Sequence, residues 1–239
     1  MVISLGKWTP GSLDKIISDA SRLPDSGKKI GYISGLFIGT PYADNTLKGG
    51  VDEEEELVVN LNGVDCFTFI DYVEAMRLSS SFEGFLTYLR RIRYRDGFVE
   101  FRHRNHFFTD WAVYNSDFVE DITGHIGREK AIEIEKILNL RGDGSFFVPG
   151  IDAKKRRLIF IPSQDIDRGI TEQLMTGDYI GLYSNTPGLD VSHVGIVIRD
   201  GKSLYLRHAS SREKHRSVMD EDFTEYVKTR DGLIVLRPR

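Results

Sequence analysis

The chain holds a single cysteine, Cys66, immediately after Asp65 and at the start of a helical pattern. Far along the sequence, Ser192-His193-Val194-Gly195-Ile196 and Arg207-His208-Ala209 place two imidazoles on adjoining strand-like stretches. A free thiol titrates near ~8.5, and its thiolate is the reactive form. The partial positive charge of a helix start favours that anion. A nearby imidazole can take the proton, and backbone N–H groups at the helix start can hold an oxyanion. These residue types therefore suit nucleophilic acyl transfer, with Cys66 as nucleophile. A buried structural cysteine flanked by Phe67 and Phe69 is the plain alternative, but a core cysteine needs no capping residue before it.

The elements that must position these groups follow from periodicity. Asp65 is a good N-cap, and Cys66, Phe69, Ile70, Val73 and Met76 follow at helical spacing. Residues 191–198 and 204–208 read as strands joined at Asp200-Gly201, a strong two-residue turn signal. With those two as the central turn residues, Arg199 faces Lys202. Counting back then sets His193 directly across from His208, with Cβ atoms ~5 Å apart and one ring able to orient the other. The alternative is two ordinary polar residues on a half-solvated sheet.

Elsewhere, residues 11–23 read as an amphipathic helix capped by Ser12, and 31–42 as an irregular glycine-rich approach to the site. Glu53 to Glu56 reads as a solvated run. Helices are expected over 82–92 and 128–138, and 106–119 is aromatic-dense with helix or loop open. Strands are expected over 158–162, 179–183 and 233–236. Helices first and antiparallel strands later signal an α+β fold in one domain spanning 1–239.

Bulk properties narrow the function classes. With 40% hydrophobic and 28% charged residues, an ordered core is expected. The net charge of −4 shows no basic excess, so nucleic acid is not an expected partner. No apolar run reaches the ~18 residues of a membrane span. The first residues lack a basic stretch leading into an apolar core, so they do not read as a signal peptide. The compartment stays open between cytoplasm and, had a leader been removed, the cell envelope or periplasm. A metal site is the competing chemistry, yet no Cys-x-x-Cys or His-Glu-x-x-His occurs, and His103 and His106 merely flank Arg104 and Asn105. No metal and no cofactor are expected, and the protein is expected to be a monomer.

The ordered set Gly39-Thr40-Pro41-Tyr42, Asp65-Cys66, Thr176-Gly177-Asp178, Ser192-His193-Val194-Gly195-Ile196 and His208-Ala209-Ser210 resembles the NlpC-like cell-wall cysteine peptidases and amidases. The resemblance implies a pared-down papain-like fold, with the nucleophile helix packed on a C-terminal antiparallel sheet. It implies Cys66 as nucleophile, His193 as base and His208 as the residue orienting the base. Typical members follow Asp-Cys with Ser-Gly, whereas Phe67-Thr68 stand here, and about 110 residues separate Cys66 from Gly177.

That insertion, about 80–170 and expected to be mostly helical, resembles the N-acetylmuramoyl-L-alanine amidase-like subfamily. The implied substrate is a peptidoglycan fragment, cut between the muramoyl lactyl group and L-alanine with a preference for anhydro-sugar ends. The ordinary superfamily reaction, between D-glutamate and a diamino acid, is an alternative. So are an inactive murein-binding module and an acyltransferase using the same residues. Sugars stack on aromatic faces, and basic side chains bind stem-peptide carboxylates. Tyr42, Arg104, His106 and Trp111 are therefore the candidate substrate-binding residues, and Asp65 beside the nucleophile is counted with them; for Trp111, Phe107 and Phe108 a purely structural core is the alternative.

Overall fold

The computed structural model describes residues 1–239. The chain divides into two compact units, Met1–Arg104 with Arg207–Asp220, and Asn105–Leu206 with Glu221–Arg239.

The first unit is helical. It contains β1 (Val2–Ser4), α1 (Pro10–Ser21), α2 (Ser26–Gly35), β2 (Val58–Asn60), α3 (Cys66–Leu78) and α4 (Phe82–Arg93). β1 and β2 pair in parallel. The cap of α1 is Thr9, in a reciprocal capping box with Ser12, so Ser12 is the third helical residue and not the cap. α2 occupies much of the stretch expected to be irregular. Its Asp25 cap holds the N–H of Lys28 and outweighs three glycines whose low helix propensity hides the helix. α3 is buried from Thr68 to Met76, which makes it the centre of this unit. Phe69 meets Phe37 edge-on at 5.7 Å, and Phe37 meets Trp8 at 5.0 Å. Asp71 of α3 and Arg93 of α4 form a buried ion pair of 2.8 Å, and Arg93 also donates to the Val58 carbonyl. Breaking such a pair leaves a charge without compensation.

The second unit is strand-rich. In chain order it holds α5 (Phe108–Tyr114), β3 (Val119–Asp121), α6 (Thr123–Gly127), β4 (Ile132–Leu138), β5 (Lys154–Pro162), α7 (Arg168–Thr171), β6 (Tyr179–Tyr183), β7 (Val191–Asp200), β8 (Ser203–Ala209), β9 (Val218–Asp222), α8 (Phe223–Val227) and β10 (Gly232–Pro238). The sheet order is β4-β5-β10-β6-β7-β8-β9, with β3 also paired to β10. Pairings among β3–β7 and β10 are antiparallel. The division between units runs through β8 and β9. On one face of β6, Ile180 and Leu182 join a core that includes Ile161, Val197, Leu206, Phe223 and Val235. On the other, Gly181 leaves room for Phe108 and Val191, whose atoms would lie 2.5 and 2.7 Å from a Cβ placed there. Covered on both faces, β6 reads as a continuous apolar run.

Two expectations are corrected in this unit. Residues 132–138 are a strand, not a helix. The alternation Ile132-Glu133-Ile134-Glu135 has period two, and the strand pairs with β5 along its whole length, with the exposed pairs Glu133–Arg157 at 3.2 Å and Glu135–Lys155 at 2.7 Å across it. The segment 80–170 is consequently not mostly helical, since it carries the seven-residue β4 and the nine-residue β5.

The other correction concerns the hairpin turn. β7 runs through Asp200 and β8 starts at Ser203, so the loop is Gly201 and Lys202, not Asp200 and Gly201. Gly201 takes φ +58° while Lys202 does not enter positive φ, the arrangement of a turn with glycine at its first central position. The count that set His193 opposite His208 started from Asp200-Gly201 as the central pair, one residue before the loop found here.

Candidate active site

Cys66 is the first residue of α3 and is partly exposed. Asp65 creates this position. Its Oδ1 accepts the N–H groups of Phe67 at 2.9 Å and Thr68 at 2.7 Å, while the Asp65 N–H donates to Thr68 Oγ1 at 3.0 Å. The carboxylate that sequence reasoning offered to substrate is thus occupied as a helix cap, and the cap fixes the direction in which α3 begins.

Tyr42 reaches the same neighbourhood through backbone pairing. It bridges in parallel to Val64, and Ala43 N–H donates to the Val64 carbonyl at 3.1 Å. Gly63 permits this approach, because a Cβ there would sit 2.8 Å from that of Ala43. Burial, then the negative charges of Cys66 and Asp44 and a hydrogen bond to Asp44, push the Tyr42 phenol far above its ordinary range. The phenol stays protonated and donates to the Asp44 carboxylate.

The segment 39–42 is also laced to residues 216–218. Gly39 N–H donates to the Val218 carbonyl, Val218 N–H to the Thr40 carbonyl, and Tyr42 N–H to the Arg216 carbonyl, all within 2.9 Å. Arg216 lies over the Tyr42 ring, 5.1 Å from its centroid, and pairs with Asp44 at 3.1 Å. Sequence reasoning overlooked Arg216 and Asp44. The available signal was the basic run Arg212, Lys214, His215 and Arg216 directly after His208-Ala209-Ser210.

His208 is fully buried on β8. Its neighbour Arg207 anchors this end of the strand, with paired bonds to Asp220 at 2.7 and 2.8 Å and further bonds to the Gly31 carbonyl and Ser34 Oγ. Ser210 is buried as well, and its Oγ has no hydrogen-bond partner. In the second unit, His193 is half-buried on β7, opposite Leu182 of β6, with its ring 6.4 Å from that of Tyr226.

The remaining candidates have structural surroundings. Arg104 is engaged in a buried cluster: its guanidinium pairs with both oxygens of Glu55, which also accepts the Tyr94 hydroxyl at 2.6 Å. Glu55 is accordingly buried, unlike the exposed Glu53 and Glu54 beside it, because Arg104 compensates its charge. Trp111 is wholly buried, stacked on Phe108 at 6.2 Å and edge-on to Tyr179 at 5.5 Å, so it offers no face to a sugar. His106 is half-buried at the start of the second unit. No helix is long and apolar enough to cross a membrane.

A partly exposed thiol at a capped helix start has the chemistry of an acyl-transfer nucleophile, and comparison with known proteins gives the protein a class. Residues 32–233 match the AmiA-like, N-acetylmuramoyl-L-alanine amidase-like family, and the chain belongs to that family. Among solved structures, it is similar to an N-acetylmuramoyl-L-alanine amidase from Bacteroides uniformis, with 26% identity over 90% of this chain and 100% of that one and a TM-score of 0.73. A Bacteroides fragilis protein described as a candidate xylanase shares 29% identity over 86% and 99% of the two chains, with a TM-score of 0.67. A Legionella pneumophila protein matches in fold, with a TM-score of 0.80 over 96% and 94% of the chains at 22% identity. No curated protein matches the chain. The family makes a peptidoglycan amidase-like role the class of activity.

Proposed function

We propose that the protein is a cysteine-dependent N-acetylmuramoyl-L-alanine amidase of NlpC-like, papain-like organisation, acting on the amide between the muramoyl lactyl group and L-alanine of anhydro-muropeptides. The observation that carries this reading is Cys66, partly exposed at the capped first position of α3, with Tyr42 bridged to Val64 two residues before it. Membership of the amidase-like family and the named Bacteroides uniformis neighbour support the substrate class.

In the proposed reaction His193 takes the proton of Cys66, and the thiolate attacks the lactyl carbonyl. A carbon–sulfur bond forms, and the oxyanion is held by the Cys66 N–H. His193 then passes the proton to the departing L-alanine nitrogen as the carbon–nitrogen bond breaks. Water, deprotonated by the same imidazole, cleaves the thioester, releasing the lactyl carboxylate and regenerating the thiol. His208 is assigned the role of fixing the tautomer of His193, as the third group does in the serine-protease arrangement.

The test is digestion of purified muropeptides, with and without the anhydro end, followed by mass analysis. A peptide beginning at L-alanine supports the amidase, whereas a released diamino-acid piece supports the endopeptidase. Cys66→Ala should abolish turnover and preserve the melting temperature. Turnover retained in that variant removes the mechanism. Iodoacetamide labelling that is rapid near pH 6 is expected for an activated thiol, and labelling confined to above pH 8 points instead to an inactive module.

A further inference from the structure

The sequence offered Arg104 as the cation for stem-peptide carboxylates, but Glu55 holds it, with side-chain exposures of 14% and 2% for the pair. A different cation lies over Tyr42, in the segment that pairs with the chain leading into α3. Arg216 sits on the ring of Tyr42, whose backbone bridges to Val64, two residues before Cys66. Its partner Asp44 is equally accessible, with exposures of 47% and 58%, and an ion pair so open to water is weak and readily exchanged. The guanidinium is therefore positioned without being consumed.

Its backbone is unusual too. Arg216 has φ +39°, a left-handed conformation that a long side chain adopts only under constraint. The constraint is visible: the Arg216 N–H donates to the Arg212 carbonyl at 3.0 Å, and its own carbonyl accepts the Tyr42 N–H at 2.8 Å. Ser217 continues by bridging to Pro41. The same short turn carries Arg212, Lys214 and His215 with Glu213, while Asp44 and Asp65 are the acids that act on Tyr42 beneath the guanidinium. A planar guanidinium with its stem laid over an aromatic ring is well suited to paired hydrogen bonds with a carboxylate.

We propose that Arg216 is a specificity residue of the site, binding a free carboxylate on the peptide side of the scissile amide by displacing Asp44. This rests on the amidase reading above. In a muropeptide the group it would read is the α-carboxylate of the second stem residue, a D-glutamate linked through its side chain. That carboxylate is about two residue lengths, ~7 Å, from the lactyl carbonyl.

The experiment compares two anhydro-muropeptides that differ only at this group, one with the free α-carboxylate and one with it amidated. The wild type is expected to favour the free acid by about tenfold in kcat/KM, mostly through KM. Arg216→Gln should lose that preference, so that the free-acid and amidated substrates are cleaved with equal kcat/KM. Arg216→Lys should keep part of it, as the charge remains and the paired geometry does not. Asp44→Asn, which leaves the arginine in place, should retain the preference and controls for disturbance of the turn. Equal rates on the two substrates by the wild type, or an undiminished preference in a folded Arg216→Gln, overturns the proposal while leaving the amidase reading intact. Cleavage of neither substrate at the lactyl bond removes that reading and this proposal together.

Discussion

Removing the Asp65 cap is the sharpest test of how α3 presents its thiol. In Asp65→Ala two N–H groups lose the acceptor that now holds them at 2.9 and 2.7 Å, while the N–H of residue 65 can still donate to Thr68 Oγ1. Loss of such a cap costs about 1–2 kcal/mol. Asp65→Asn keeps an acceptor oxygen and forfeits only the attraction of a carboxylate to the helix start, about 0.3–1 kcal/mol at a partly exposed site. The unit holding α3 lies between the size classes for which 1 kcal/mol shifts a midpoint by ~2–4 and ~4–8 °C. The alanine variant should therefore melt roughly 4–8 °C lower and the asparagine variant roughly 1–4 °C lower. Circular dichroism at 222 nm gives the midpoints, and muropeptide turnover on the same samples shows whether loosening the first turn costs activity. An unchanged midpoint in Asp65→Ala, or asparagine as damaging as alanine, would refute the assignment of Asp65 as a hydrogen-bonding cap.

Two further outcomes are expected from the second unit. Gly181→Ala pushes a methyl to 2.5 Å from the Phe108 ring, an overpacking that should cost about 1–3 kcal/mol in urea unfolding; a neutral substitution would show that β6 and α5 are not in close contact. Asp190 is fully buried, and desolvation raises its carboxyl above 3.8 despite N–H and hydroxyl donation from Thr109. A carboxyl raised in the folded state carries its penalty at neutral pH and sheds it as pH falls through the folded value towards the ordinary one. The stability of wild type relative to Asp190→Asn should therefore rise between pH 7 and about 4. Equilibrium denaturation at several pH values measures it, and a flat difference contradicts the raised carboxyl.

The parts of the fold legible in the sequence are those with local causes. Asp65 before Cys66, the apolar face of α4 and the apolar runs of β6, β7, β8 and β10 all announce themselves within a few residues. The errors arose where partners are remote or signals compete. Glu55 reads as one of four solvated acids because Arg104 is 49 positions away. In β4 the isoleucines can be read as a helical count, and the strand that pairs with it, β5, lies some twenty residues further on. At the β7–β8 turn, Asp200-Gly201 is a stronger textual signal than Gly201-Lys202, yet strand length settles it by one residue. Arg216 was invisible for the same reason as Glu55, since a cation in a polar turn says nothing until Tyr42 and Asp44 are found beside it.

The way the first unit is threaded has a consequence for biosynthesis. Its final piece, Arg207–Asp220, is separated from its first 104 residues by the stretch Asn105–Leu206. That late piece supplies the Arg207 anchor onto Gly31 and Ser34 and the Arg216 carbonyl that receives Tyr42. At ribosomal speeds of ~5–20 residues per second, the nascent helices wait roughly 5–20 seconds before the segment that completes their scaffold emerges. A ribosome that stalls before residue 207 leaves the helices of the first unit without the Arg207 anchor and without the carbonyl that receives Tyr42.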